Sequence, residues 1–407
     1  MTVLDDARRM TGELVRLRRD LHAHPEIGLD LPRTQETVLA ALDGLPLELT
    51  VGKATTSVTG VIRGVGDGPR PVILLRADMD AVPVQERTGL PFASTVDGAM
   101  HGCGHDLHTA MLVGAAHLLV TRRDRLPVDV VLMFQPGEEG WEGARAMIDE
   151  GVLYAAGPRV RAAYGLHVFS SLPQGFHIRP GAMLASSSAL LVTVQGQGGH
   201  ASAPHLARDP IPVAAEMVVA LQTMVTRRFD VFDPVVLTVG VIHGGTRRNI
   251  IPATTSFEAT VRTFSDTTAT RVGDEALRLV HGIAAAHGVG VDARFVRERP
   301  ATVNDAEQAD FVADTITGLT GAERLHALPH PFTGAEDFSR VLAEVPGAFV
   351  ALGALPAGAD PTAAPFNHSD HAVFDEAALP LGAALYAELA LRRGSTPLPP
   401  LRTEDSQ

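Results

Sequence analysis

Val128-Asp129-Val130-Val131-Leu132-Met133-Phe134-Gln135-Pro136-Gly137-Glu138-Glu139 is the stretch on which the fold turns. An apolar run ends at Phe134, and a turn bearing two carboxylates follows at once. A short apolar run bounded by turn residues reads as a buried strand. The same pattern occurs upstream, where Pro71 to Leu75 feeds into Arg76-Ala77-Asp78. It recurs downstream, where Ala162 to Leu166 feeds into His167. Val58 to Ile62 is a further β-rich run. Helical runs lie between, notably Thr109 to Arg122 and Glu142 to Asp149. Apolar strands alternating with helices predict an α/β domain, its mixed sheet covered by helices.

Outward from this core the pattern changes. Val3 to Leu21 carries apolar residues at helical spacing, and His24-Pro25-Glu26 stops it. After Gly181, Leu190 to Val194 reads as a strand and Pro210 to Arg227 as a long helix. Val235 to Val241 and Thr255 to Thr263 read as strands, Thr267 to Ala286 as a helix, and Val289 to Val296 as a strand. That order, β-α-β-β-α-β, is the ferredoxin-like α+β unit. The α/β character resumes near Arg299, with helices at Glu307 to Leu319 and Glu376 to Arg392. The expectation is a small domain, residues 185–296, inserted into a larger one formed by residues 1–184 and 297–407. The tail, Gly394 to Gln407, is Pro-rich and polar and is expected to be loose.

Composition narrows the function. The 407 residues carry a formal net charge of −13, and aromatics make up 5%. An acidic chain with few stacking rings suits no phosphate backbone, so no nucleic-acid partner is expected. Ala110 to Val120, the longest helical apolar stretch, is too short to span a bilayer and contains His117, so no membrane role is expected. Met1 to Met10 lacks the apolar core of a secretory signal. Cys103 is the one cysteine, which rules out an intrachain disulfide. The expected location is cytoplasmic.

The residues suited to chemistry fall where strands end. Asp78 and Asp80 follow one run, Glu138 and Glu139 another, and His167 a third. His101-Gly102-Cys103-Gly104-His105-Asp106 precedes a helical run, and His368 sits near the C-terminus. Sites in open α/β sheets gather at the carboxyl ends of strands. Taken singly, each group has an ordinary structural explanation. A lone histidine is usually a packing residue, a Glu-Glu pair a helix start, a lone cysteine a small hydrophobe. Together, thiolate, imidazole and carboxylate suit zinc or a similar first-row ion. One of two adjacent glutamates can bind metal while its neighbour acts as general base. A thiolate from Cys103 would bridge two metals. The rivals are a cysteine hydrolase with Cys103 as nucleophile and His105 as base, and a non-catalytic metal- or peptide-binding protein.

These residues stand in motifs that resemble the N-acyl amino acid amidohydrolases. That group includes hippurate hydrolase, indole-3-acetyl-amino acid hydrolases and thermophilic carboxypeptidases, and belongs to the co-catalytic metallopeptidase superfamily that contains aminoacylase. The motifs run from Arg18-Arg19-Asp20-Leu21-His22-Ala23-His24-Pro25-Glu26 through Arg76-Ala77-Asp78-Met79-Asp80-Ala81-Val82-Pro83 and His101 to Asp106. They continue through Gln135 to Gly140, Gly165-Leu166-His167-Val168, Gly198 to Pro204, Gly334-Ala335-Glu336-Asp337-Phe338 and His368 to Glu376. The resemblance implies a catalytic α/β domain with an inserted lid that mediates homodimers. It implies two divalent ions (zinc, manganese, cobalt or nickel) held by Cys103 as bridge and by His105, Glu139, His167 and His368. It assigns Glu138 as general base and Asp78 as the carboxylate that orients a ligand histidine.

The implied activity is hydrolysis of the amide bond of a small N-acyl amino acid. The related alternative is a metallo-carboxypeptidase or dipeptidase. In similar proteins the lid histidine, here His200, reaches the partner's active site and polarises the scissile carbonyl. Asn249 and Arg262 are candidates for substrate oxygen or carboxylate, which a guanidinium grips bidentately. Two positions depart from the family pattern. Gly102 stands where many relatives have alanine. His368-Ser369-Asp370-His371 lacks the usual proline, so Asp370 and His371 also come near the proposed ligands. The register of Phe374-Asp375-Glu376 favours His368.

Overall fold

Strands β1 (Glu48–Val51), β2 (Val58–Ile62), β3 (Val72–Asp78), β4 (Asp129–Gln135), β5 (Val160–Phe169) and β6 (Gly175–Ile178) come first along the chain. β7 (Gly181–Leu184) leads into a segment holding β8 (Ser187–Gln195), β9 (Gly199–His200), β10 (Val236–Gly244), β11 (Ile250–Ile251), β12 (Thr254–Arg262) and β13 (Gly290–Arg299). β14 (Thr302–Asn304), β15 (Leu325–Ala327) and β16 (Gly347–Gly353) follow. The computed structural model describes residues 2–65 and 70–393, so the expectation for Gly394 to Gln407 lies outside the described residues. Two units emerge. One holds the chain through Met183, Val303–His330 and the segment from Arg340; the other holds Leu184–Thr302 and Pro331–Ser339.

The first unit is built on an eight-stranded sheet in the order β1-β2-β4-β3-β5-β16-β6-β15. β4, β3, β5 and β16 run parallel side by side. β2 joins β4, and β6 joins β16, antiparallel, which makes the sheet mixed. Every residue of β3, β4 and β16 is buried. Strands covered on both faces need apolar side chains at successive positions, which explains the unbroken runs in the sequence.

The helix His105–Val120 packs against Thr11–Ala23 and Ala378–Arg392. It is buried almost all round, as suits a central helix. The sequence suggests a start at Thr109; the structure starts the helix at His105. Gly104 makes this possible. Its φ is +88°, and a Cβ there would meet Val168 Cγ2 at 2.4 Å, so the entry turn accepts only glycine. His105 and Asp106 therefore occupy the first helical turn, not a loop. The N-terminal helix also differs from expectation. It is two helices, Val3–Arg9 and Thr11–Ala23, parted at Met10. Thr11 and Gly12 are weak helix formers, and the Thr11 hydroxyl donates back to the Arg8 carbonyl at 2.8 Å.

The second unit has a four-stranded antiparallel sheet in the order β10-β12-β8-β13. Helices Pro210–Arg228 and Asp266–His287 cover one face, through Met217, Leu221, Val272 and Val280 packed on Val192, Phe257 and Val261. Burial alternates along β12, as it must when one face is dry and the other wet. Element succession and strand order are those of the ferredoxin-like unit. β9 and β11 form a separate ladder with His200 opposite Ile250. Among the described residues no helix is long and apolar enough to cross a membrane.

Candidate metal centre

Because β3, β4, β5 and β16 are parallel, their carboxyl ends share one edge of the sheet. Asp78 closes β3, Glu138 and Glu139 follow β4, His167 lies in β5, and His368 follows β16. Side chains at that edge project into one crevice. Donor atoms of Cys103, His105 and His167 lie within 4.8 Å of one another, and so do those of Cys103, Glu139 and His368. Cys103 is common to both triads. Its Sγ is 3.3 Å from His167 Nε2 and 3.2 Å from His368 Nε2. His368 Nε2 is also 2.8 Å from Glu139 Oε1. His105, Glu138 and Glu139 form a third set within the same limit.

The imidazoles are aimed by bonds on their other nitrogens. His105 Nδ1–H donates to the Asp80 carbonyl at 2.8 Å, while its Nε2 is buried without a hydrogen-bond partner. His167 Nδ1–H donates to the Val168 carbonyl at 2.8 Å. An orphaned buried nitrogen costs about 1–3 kcal/mol, and a cation satisfies it. One sulfur shared by two N/O/S triads fits two divalent cations bridged by thiolate.

The electrostatics are consistent with that fit. Burial pushes the Cys103 thiol well above its ordinary range, and the Glu139 carboxylate adds to the effect. Burial opposes ionisation of Glu139 too, but the His368 hydrogen bond and the nearby imidazole charges hold it down to about 2. Burial disfavours a proton on His105, yet the Asp78 charge outweighs it and raises His105 well above the usual imidazole value. Burial and the charge of His108 drive His167 well below that value. Thiol and imidazolium must each lose a proton before ligating, so cation uptake strengthens as pH rises.

A buried network supports the donors. Asp78 Oδ2 accepts from Arg76 Nη1 at 2.7 Å, and Oδ1 from His108 Nδ1 at 2.5 Å. His108 Nε2 accepts the Val168 N–H at 2.8 Å. Both nitrogens of His108 are therefore engaged, and the ring braces β5 beside His167 instead of joining the donors. His105 Nε2 lies 3.5 Å from Asp78 Oδ2, so the hydrogen bond of Asp78 to imidazole goes to His108. Burial resists ionisation of Asp78, but Arg76 and the two imidazoles hold it well below the carboxylate range.

Asp80, one of the strand-end carboxylates, has a part that the sequence does not specify, and His108 and Asn367 join the site from outside the sequence-derived candidates. Asp80 accepts the Glu138 N–H on Oδ1 and the Glu139 N–H on Oδ2, both at 2.9 Å. Its signal was the carboxylate two residues past Asp78. The signal of His108 was its place three residues after His105, on one helix face. Asn367 donates to the carbonyls of Cys103 at 3.2 Å and Val168 at 2.9 Å, and accepts the Ser170 N–H at 3.0 Å. No local pattern announces it. His368, at φ +71°, donates its N–H to the Gly102 carbonyl at 2.8 Å. A Cβ on Gly102 would lie 3.1 Å from Val82 Cγ2, so glycine relieves a close contact. Asp370 lies 3.6 Å from Arg87, and His371 Nε2 lies 3.9 Å from Asp370. Neither enters a donor group among the described residues.

His200, Asn249 and Arg262 lie in the second unit. The Ala201 N–H donates to the Asn249 carbonyl at 3.2 Å, which makes His200 and Asn249 neighbours. Arg262 is not with them. It ends the nine-residue β12, opposite Val236, at the far end from the β9–β11 ladder. Its Nη1 donates to the Ser186 carbonyl at 3.4 Å. Burial lowers its pKa, against the pull of Glu298.

A mixed α/β sheet with this donor cluster, and an inserted α+β unit, is the build of a metallopeptidase-like amidohydrolase. The chain belongs to the peptidase family M20/M25/M40, whose model matches residues 74–392. It is 36% identical to thermostable carboxypeptidase 1 of Saccharolobus solfataricus over 95% of this chain and 97% of that protein. It is also 36% identical to an N-acetylcysteine deacetylase of Bacillus subtilis, over 93% of this chain and 96% of the relative. A Bacillus subtilis crystal structure described as a dinuclear metal binding peptidase superposes with TM-score 0.81 at 32% identity, covering 94% of this chain and 98% of the other. The resemblance to N-acyl amino acid amidohydrolases holds, and the protein is an enzyme that acts on amide bonds.

Proposed function

We propose that this protein hydrolyses N-acyl amino acids to a carboxylate and a free amino acid. The observation that carries the proposal is the pair of donor triads sharing Cys103, with Glu138 in contact range of His105 and Glu139. Cys103, His105, Glu139, His167 and His368 would hold two divalent ions, drawn from zinc, manganese, cobalt and nickel. When bound, such ions supply Lewis acidity that activates water and polarises the amide carbonyl.

The chain supplies the rest. Glu138 takes the proton of the attacking water and returns it to the leaving nitrogen. Asp80 holds the backbone of Glu138 and Glu139 in place. His200, reaching the active site of the partner chain in the dimer, donates a hydrogen bond to the oxyanion that develops on the carbonyl. Asn249, the neighbour of His200, is the candidate for a substrate oxygen or carboxylate; Arg262, at the other end of β12, does not share that contact. The working form is a homodimer through the second unit. Its edge strand β10 and the exposed Val219, Phe232 and Ile242 support this. The location is the cytoplasm. The same chemistry on a peptide with a free C-terminus would give a carboxypeptidase, which the Saccharolobus relative supports.

A cysteine nucleophile is disfavoured, because a buried thiol held well above its ordinary pKa is a poor thiolate source. The test is a panel of acetyl, benzoyl, indoleacetyl and peptidyl amino acids. It is applied to chelator-stripped and metal-restored protein, and released amino acid is measured. Turnover restored by metal supports the proposal. Full activity after stripping refutes it.

A further inference from the structure

Gly198-Gly199-His200-Ala201-Ser202 places a histidine in a strand of two residues, where little else holds it. The backbone of His200 is fixed by its pairing with Ile250 and by the Ala203 N–H, which donates to its carbonyl at 2.8 Å. The ring is fixed by one residue. The Ser202 N–H donates to His200 Nδ1 at 3.1 Å, and Ser202 Oγ lies 2.7 Å from the same nitrogen.

A backbone N–H can only donate, so Nδ1 must offer its lone pair. A neutral imidazole carries one proton, and that proton is then on Nε2. We infer that Ser202 is a positioning residue that holds His200 as the Nε2–H tautomer and so makes it a ready hydrogen-bond donor. The inference rests on the proposed role of His200 and deepens it. A ring in this state meets an oxyanion without first gaining charge or turning over. It has no lone pair on Nε2 with which to take a proton from water, so the base must be another group, the role proposed above for Glu138.

The test uses the full chain with 15N-labelled histidine. The His200 signals are assigned by their loss in His200→Asn. Long-range proton–nitrogen correlations should show Nδ1 unprotonated and Nε2 protonated in the wild type. Ser202→Ala removes the hydroxyl and keeps the backbone N–H, so Nδ1 should stay unprotonated while its nitrogen shift moves with the loss of one of its two donors. It should also lower kcat about 3- to 10-fold, the worth of one hydrogen bond, with KM changed by less than about 2-fold. Ser202→Thr keeps the hydroxyl and should restore both. Protonation of Nδ1 in the wild type overturns the inference, as does a Ser202→Ala protein whose Nδ1 shift and kcat are both unchanged. Undiminished turnover in His200→Ala overturns the donor role itself. The nitrogen spectrum is read without substrate, so the two failures are distinguishable.

Discussion

His368 Nε2 lies 3.2 Å from Cys103 Sγ across 265 residues of chain. The contact closes the second of two donor triads on a sulfur that the first already uses. Removing Cys103 therefore damages both triads, whereas removing His368 damages one. In Cys103→Ala, metal measured by plasma mass spectrometry should fall from about two ions per chain to less than one. In His368→Ala, one ion should bind about 10- to 100-fold more weakly while the other stays. Full occupancy in Cys103→Ala would remove the shared-donor role.

Glu138 is assigned to proton transfer and Glu139 to ligation. Glu138→Gln should therefore keep its metal content and lose about 10²- to 10⁴-fold in kcat. A near-normal rate would take the base role away from it.

Asp80 accepts two backbone N–H groups at 2.9 Å, one from each glutamate. Asp80→Asn keeps one acceptor and turns an amide N–H₂ towards the other donor. The expected result is about 1–3 kcal/mol lost in urea unfolding and a kcat lowered about 10- to 100-fold. A variant equal to wild type in both would show that the glutamate loop holds its own shape.

His101 is buried, and neither ring nitrogen has a hydrogen-bond partner. Burial lowers its pKa to about 3, against the pull of Asp106. In the unfolded chain it titrates near ~6.5. Between these values the unfolded state binds more protons, so stability falls as pH drops from about 6.5 towards 3. The expected loss is about 2–3 kcal/mol between pH 6.5 and 4.5, measured by urea unfolding of metal-free protein. His101→Leu should make that limb shallower by about one proton, while buried His108 and His167 keep the remainder. An equally steep limb in the variant would place the acid sensitivity elsewhere.

The reach of the sequence differs by element. Buried parallel strands announce themselves by continuous apolar runs, and β4 with its trailing Glu138-Glu139 was legible for that reason. Helix starts were less so. The His105 start depends on a left-handed Gly104 packed under Val168, a contact made across the fold. Asn367 and His108 were not read as parts of the site because their hydrogen bonds go to Val168 and Ser170, far away in sequence.

Sequence alone determined the α/β sheet, the βαββαβ insertion and the residue types gathered at strand ends. These follow from periodicity and from where apolar runs stop, which are local properties of a chain. Tertiary structure alone decided that one sulfur serves two triads, and that Asp78 bonds to His108 while Asp80 aligns the glutamates. Each of these depends on distances and on which atom donates. Side chains acquire such relations only when packing brings separate segments within a few ångströms.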